Sequence, residues 1–273
     1  MALHDAKRIV VKVGTSTLAY PNGSLNIRRT EKLVRVLADI KNSGKEIILV
    51  SSGAIGVGAA RLNMKERPHD TRPMQAAAAV GQVELMYLYD KLFVPYGHVV
   101  GQILMTRIIT EHHNTRQNLI NTFESLLDLG VIPIVNENDS IAVEEVEEEA
   151  MTFGGNDTLS AIVATLIQAD ALVLLSDIDG LYDHNPRTCD DAELIPIVKN
   201  IDKGIRSHAE GAGSSLGTGG MIAKLDAAEL VTKNGIDMVI MNGKYPEKLY
   251  DLLDGKPVGT YFPSKRRAEE ELS

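Results

Sequence analysis

Short β-branched runs alternate along this chain with longer segments whose apolar residues recur at helical spacing. Arg8 to Val13 reads as a strand, with Ile9-Val10-Val11 apolar and Gly14 ending it. Residues 27–43 read as a helix: Leu33, Val36, Leu37 and Ile40 recur at helical spacing, Asn26 caps the start and Gly44 stops the end. Glu46 to Ser51 predicts a second strand, followed by the glycine-rich turn Ser52-Gly53-Ala54-Ile55-Gly56. The rhythm continues with a long helix from about Met74 to Phe93, a strand over 99–105, a helix over 114–129 and a strand over 131–135. In the second half it predicts helices over 157–169 and 221–234, and strands over 171–175 and 236–241.

Near-continuous apolar strands separated by helices predict an α/β fold with a mainly parallel open sheet covered on both faces. Ligands of such sheets bind beyond the carboxyl ends of the strands. The residues to weigh are therefore those that follow each strand: Gly14-Thr15-Ser16, Ser51-Ser52-Gly53, Asn136-Glu137-Asn138-Asp139 and Ser176-Asp177. These polar or glycine-rich turns are expected on one rim.

Composition narrows the chemistry. Lys plus Arg number 28 against 37 for Asp plus Glu, a formal net charge of -9 over 273 residues. That balance argues against a chain-wide binder of nucleic acid or anionic membrane, because both need a positive field. It leaves room for a local positive pocket around an anionic small molecule. A sizeable core is available, since 44% of the residues are hydrophobic. The single Cys189 excludes an internal disulfide framework and cannot by itself make a thiolate zinc site. No apolar run approaches the ~18 residues needed to span a bilayer, and the N-terminus has no apolar signal core. The expectation is a soluble, cytoplasmic protein with one domain over 1–262 and a charged, solvated tail over 263–273.

Lys12 stands near the end of an otherwise apolar strand, where a buried ammonium is costly. Two readings stand: an edge lysine with its head in water, or a cation aimed at an anion. The run Gly53 to Gly58 has the order G-x-x-G-x-G, not the dinucleotide G-x-G-x-x-G, and no acidic ribose ligand ends a strand roughly 20 residues on. The useful group there is Ser52, a hydroxyl followed by N–H donors. Asn136-Glu137-Asn138-Asp139 and Gly154-Gly155-Asn156-Asp157-Thr158 are acid–amide clusters suited to a zwitterion, with amides for its carboxylates and an aspartate for its ammonium. In the second cluster a second reading stands beside this one, with Asn156 or Asp157 as an ordinary helix cap.

Gly217-Thr218-Gly219-Gly220-Met221-Ile222-Ala223-Lys224 feeds a flexible loop into a helix, offering N–H groups and the positive dipole end to an anion, with a lysine about one turn inside. It does not align with a Walker A motif. The overlapping Gly213-Ser214-Ser215-Leu216-Gly217 lacks the preceding strand that a hydrolase elbow needs. Elsewhere ordinary readings suffice. The glutamates within 141–151 form a solvated acidic hairpin or loop, Asp183-His184-Asn185-Pro186-Arg187 an exposed loop, and His112-His113 a helix end.

Taken in order, Val11 to Ser16, Leu49 to Ile55, Gln75 to Gln82, Pro133 to Asp139, Phe153 to Asp157, Leu174 to Asp177 with Gly180-Leu181-Tyr182, and Gly217 to Lys224 resemble the amino acid kinase family over roughly residues 8–260. The resemblance implies a three-layer αβα sandwich and ATP-dependent phosphorylation of the γ-carboxylate of L-glutamate, the first step of proline biosynthesis. It further implies feedback inhibition by proline, a homo-oligomer (dimer or tetramer), and Mg2+ held mainly through the nucleotide phosphates rather than by a protein site. On the same basis Lys12 and Lys224 stabilise the phosphoryl group in transit and Asp157 orients them. Ser52, Asp139 and Asn156 contact the amino-acid substrate. Lys12, Ser176, Asp177 and the stretch Thr218, Gly219, Gly220, Met221, Ile222, Ala223 and Lys224 contact the nucleotide.

Two features depart from the family pattern: Gly155 stands where an acidic residue is frequent, and no PUA domain of the kind many relatives carry is expected at the C-terminus. The implied roles make physical sense. A carboxylate acceptor is already ionised at pH 7 and needs no general base. Catalysis is then positioning plus neutralisation of two anions that repel each other. Two alternatives remain at this stage: the same fold acting on carbamate, acetylglutamate, aspartate or a nucleoside monophosphate, or a non-catalytic amino-acid sensor, which has no need of both Lys12 and Lys224.

Overall fold

The computed structural model describes residues 3–20, 22–106, 112–141, 155–209, 220–265 and 267. The strands are β1 (Arg8–Val13), β2 (Glu46–Val50), β3 (Val100–Met105), β4 (Ile132–Glu137), β5 (Ala171–Ser176), β6 (Asp237–Asn242) and β7 (Thr260–Phe262). They form one seven-stranded sheet in the order β3-β4-β2-β1-β5-β6-β7. All neighbouring pairs are parallel except β6 with β7, which closes one edge antiparallel. The described helices are α1 (Thr15–Leu18), α2 (Ile27–Asn42), α3 (Ala54–Arg61), α4 (Thr71–Phe93), α5 (His113–Asp128), α6 (Asn156–Leu166), α7 (Lys203–Ala209), α8 (Met221–Lys233) and α9 (Lys248–Leu253).

Side-chain alternation along β1 sorts the core into two halves. Ile9, Val11 and Val13 join Leu33, Leu37, Leu85 and Tyr89, so α2 and α4 cover that face. Val10 joins Phe123, Leu159 and Leu225, so α5, α6 and α8 cover the other. The result is the expected αβα sandwich, with a core on each side of the sheet. Its largest fully buried side chains include Tyr89, Phe93, Phe123 and Phe262, each worth about 1.5–3 kcal/mol of burial. Lys12 shares the face of Val10 by the same alternation, which aims it at α6 and α8.

The structure corrects several local expectations. The stretch from Ser52 to Gly56 is not wholly a turn: Ala54 to Arg61 is helix α3, with Gly53 as its N-cap. Gly58 lies against α4, where its Cβ would stand 1.8 Å from the Ala77 carbonyl oxygen, and a Cβ on Gly81 of α4 would stand 1.8 Å from the Ala54 carbonyl oxygen. The two backbones touch, so the residues weak in helix propensity are those the packing requires. Helices α1, α7 and α9 and strand β7 were not anticipated. By contrast Asn26 caps α2 as predicted, its side chain accepting from the Arg29 N–H at 3.2 Å. The described part of the tail is docked rather than solvated: the buried Asp237 accepts from the Ser264 N–H at 2.8 Å and pairs with Arg267 at 2.8 Å. The acidic segment 142–151 lies outside the described residues.

Candidate active site

The central strand β1 lies between β2, reached early in the chain, and β5, reached late, so the sheet reverses its winding at β1. Open parallel sheets bind their ligands at such a switch point. The rim there is built from Gly14-Thr15-Ser16, Ser51-Ser52-Gly53, the end of β4 at Asn136-Glu137 and the end of β5 at Ser176, as the sequence pattern predicts.

Three buried charges meet on this rim. Asp157, on the first turn of α6, holds Lys12 Nζ at 2.6 Å from one carboxylate oxygen and Lys224 Nζ at 2.9 Å from the other. The Lys224 contact is a hydrogen bond, whereas the Lys12 contact is a close ionic approach off hydrogen-bonding geometry. Lys12 arrives from the end of β1 and Lys224 from the first turn of α8, whose body packs against α6. Burial draws the Lys12 ammonium below its usual range, Asp157 opposes this, and the nearby Lys224 adds to it. Burial alone would raise the Asp157 carboxyl, but the two ammonium groups more than reverse that and hold it below the usual carboxylate range. Of the two readings of Lys12, the structure supports the inward cation. The trio carries one net positive charge in a chain of -9.

Beside the charges lies an amide pocket. Asn156 donates from Nδ2 to Ser52 Oγ at 2.8 Å and to Asn136 Oδ1 at 3.3 Å. Asn136 Oδ1 also accepts from the Glu137 N–H at 2.9 Å. The capping reading of Asn156 and Asp157 is thereby overturned. Gly155 is the N-cap of α6, no side chain caps it, and both candidate caps point into the rim. Gly155 has φ 121 and ψ 165, a region open essentially to glycine alone. In this backbone an acidic residue at 155 would be strained. Two buried polar atoms, Asn136 Nδ2 and Asn156 Oδ1, have no hydrogen-bond partner among the described residues. One is a donor and the other an acceptor, so the pocket presents both signs of polarity to a ligand. Asp139 follows β4 half-buried; burial raises its carboxyl to about 6, with Arg67 pulling the other way.

On the β5 side Ser176 is buried, and its hydroxyl donates to Asp177 at 3.3 Å. Gly220 is the N-cap of α8; Met221 and Lys224 are buried, Ile222 exposed and Ala223 partly covered. Thr218 and Gly219 lie outside the described residues. Two site residues were not singled out from the sequence. Asn136 was visible only as part of a polar cluster, its place at the end of a buried strand being the available signal. Arg187, read as part of an ordinary exposed loop, bonds Asp177 at 2.6 Å. Among the described residues no group of three or more His, Cys, Asp and Glu side chains is arranged to hold a metal ion, and no helix is long and apolar enough to cross a membrane.

A mainly parallel sheet whose switch point offers two buried lysines on a shared aspartate defines an α/β protein with a local cationic site at its strand ends. The chain belongs to the amino acid kinase family, whose model matches residues 7–242. Within that family it is 54% identical over 265 residues to the glutamate 5-kinase of Clostridium perfringens, covering 97% of this chain and 98% of the relative. It is 52% identical over 272 residues to the glutamate 5-kinase of Listeria monocytogenes serotype 4a, covering 100% of this chain and 97% of the relative. Among solved structures the fold is similar to carbamate kinase from Giardia lamblia bound to AMP-PNP, with a TM-score of 0.66 at 16% identity, covering 96% of this chain and 100% of that one. It is also similar to the UMP kinase of Bacillus anthracis, with a TM-score of 0.63 at 17% identity, covering 95% and 96%.

Proposed function

We propose that this protein transfers the γ-phosphoryl group of ATP to the γ-carboxylate of L-glutamate, giving ADP and L-glutamyl 5-phosphate, the first step of proline biosynthesis. The observation that carries the reading is Asp157 bracketed by Lys12 and Lys224 at the switch point, next to an amide pocket with one unmatched donor and one unmatched acceptor. The names of the relatives over the whole chain length point the same way.

In this mechanism a carboxylate oxygen of glutamate attacks the γ-phosphorus in line, and the bond from phosphorus to the β–γ bridging oxygen breaks. No proton is exchanged at the acceptor, which is already ionised. Lys12 and Lys224 neutralise the oxygens of the phosphoryl group as charge spreads over them. Asp157 fixes both ammonium groups and keeps their mutual repulsion from splaying them. The Ser52 hydroxyl and Asn136 Nδ2 donate to the carboxylate end of glutamate, and Asn156 Oδ1 and Asp139 accept from its ammonium. Ser176, Asp177, Lys12 and the segment Thr218 to Lys224 hold the nucleotide, the N–H groups at the start of α8 facing phosphate oxygens. Mg2+ bound to the nucleotide supplies further neutralisation of the phosphates. It would be held mainly through them, since Asp157 is already shared by two lysines.

We further assign the protein to the cytoplasm, with proline as feedback inhibitor, and as a homo-oligomer. Val83 and Tyr87, exposed on one face of α4, support a role for that helix in self-association. The decisive measurement is ATP turnover with glutamate, with and without proline, read by hydroxamate trapping of the acyl phosphate across a panel of acceptors. Turnover with glutamate is the expected result. Activity with another acceptor and none with glutamate, or glutamate binding without ADP formation, would reject it.

A further inference from the structure

We infer that Arg187 is a positioning residue of the nucleotide site, neutralising Asp177 so that a nucleoside triphosphate can approach Lys12. This rests on the reading of the site given above and adds a residue to it.

The difficulty it resolves is electrostatic. Asp177 directly follows β5, the strand beside β1, and its charge is felt at the Lys12 ammonium. A carboxylate so placed meets the phosphates of any nucleotide that Lys12 attracts, and bare it would repel them. Both its oxygens are engaged: Ser176 Oγ donates to Oδ1 at 3.3 Å and Arg187 Nη2 to Oδ2 at 2.6 Å.

The loop carrying Arg187 is built to bring it back to the rim. Tyr182 and Leu194 pair across its base. The Asp183 N–H donates to the Glu193 carbonyl at 3.1 Å, and the Glu193 N–H to the Asp183 side chain at 2.8 Å. At the tip, Asn185 Oδ1 accepts from the Arg187 N–H at 3.0 Å, and its carbonyl accepts from the Thr188 and Cys189 N–H groups at 3.1 and 3.0 Å. The ion pair itself is partly exposed, with side-chain exposures of 45% for Arg187 and 34% for Asp177. Pairs of that exposure add little to folding stability. The same pair beside a polyanion changes the affinity for that anion, because it decides whether the ligand meets a negative charge or a neutral one.

The test uses the full chain, with steady-state kinetics varying each substrate in turn and calorimetric titration with ATP alone. Arg187→Ala is expected to raise the KM for ATP and weaken ATP binding about tenfold. The KM for glutamate should stay within about twofold of wild type, and the melting temperature should not move. Arg187→Lys should recover most of the loss. Unchanged ATP binding in Arg187→Ala, an equal rise in both KM values, or no recovery in Arg187→Lys would overturn the inference. A wild-type protein that binds ATP but does not turn over glutamate would instead defeat the functional reading, and the ATP titrations would still decide the role of Arg187.

Discussion

The two ends of β1 carry charge triads of opposite sense on the same face of the strand. At its start Arg8 is surrounded by acceptors: Glu46 at 2.6 Å, both oxygens of Glu124 at 2.7 and 2.8 Å, and the Ile167 carbonyl at 2.7 Å. At its finish Asp157 is flanked by the ammonium groups of Lys12 and Lys224 at 2.6 and 2.9 Å. The first arrangement ties β1 to β2, to α5 and to the end of α6, and its net negative charge matches an acidic chain. The second sets two buried ammonium groups on one carboxylate, an arrangement suited to an arriving anion. Residues placed alike by the strand's period thus differ in setting: one triad ties elements of the fold together, the other is the proposed phosphoryl site.

The sharpest way to break this contrast is at the lysines. Lys12→Ala and Lys224→Ala are each expected to lower kcat by about 10³. Melting should shift only modestly in both, because Asp157 keeps the other lysine as partner. Near-normal turnover in either folded variant would remove the triad from the chemistry. A smaller effect of the opposite kind is expected from Arg8→Ala. Urea unfolding should show a loss of about 1–2 kcal/mol, held down by the partial exposure of Glu46 and Glu124. Its kcat and KM values should stay within about twofold of wild type. A large kinetic defect with intact stability would erase the distinction between the two ends.

The smallest effect concerns Asp139, whose carboxyl is raised to about 6 by burial against the pull of Arg67. Below that pH it is neutral and cannot hold an ammonium; above it the charge is present. The KM for glutamate should therefore fall by about fourfold between pH 5.5 and 7.5, and Asp139→Asn should flatten that profile. Stability responds with the reverse sign. The folded state binds the proton more tightly than the unfolded chain, so this group's contribution is present at low pH and is lost as pH rises through about 6. A KM profile that rises with pH would exclude Asp139 from the ammonium.

Much of the fold was legible because parallel strands buried on both faces write themselves as unbroken apolar runs, as in Ile47 to Val50 or Ala171 to Leu175. The rim followed from reading what comes after each run. Strand β7 was not legible: three residues, Thr260–Phe262, are too few to show a period. Helix α3 was hidden by Gly56 and Gly58, poor helix formers, of which Gly58 is demanded by contact with α4. At the site, the acidic and amide clusters were visible as compositions but not as geometry. Whether Lys12 faced water or an anion depended on residues 157 and 224, which only the packing of α6 and α8 brings to it. Arg187 was missed because its meaning lies in a partner ten residues back in the chain, across a closed loop.

The touching backbones of α3 and α4 have a consequence for mutational tolerance. With 1.8 Å between a would-be Cβ and a carbonyl oxygen on each side, positions 58 and 81 admit no side chain at all, not even a methyl group. In a saturation library those two codons should be intolerant of every amino-acid change, while Val83 and Tyr87, on the exposed face of the same helix, accept broad replacement in the isolated subunit. The contact begins at Ala54, two residues after Ser52, so the Ser52 hydroxyl sits just ahead of a helix start that cannot be repacked piecemeal. Attempts to widen acceptor specificity would fare better from the β4 side of the pocket than from this crossing.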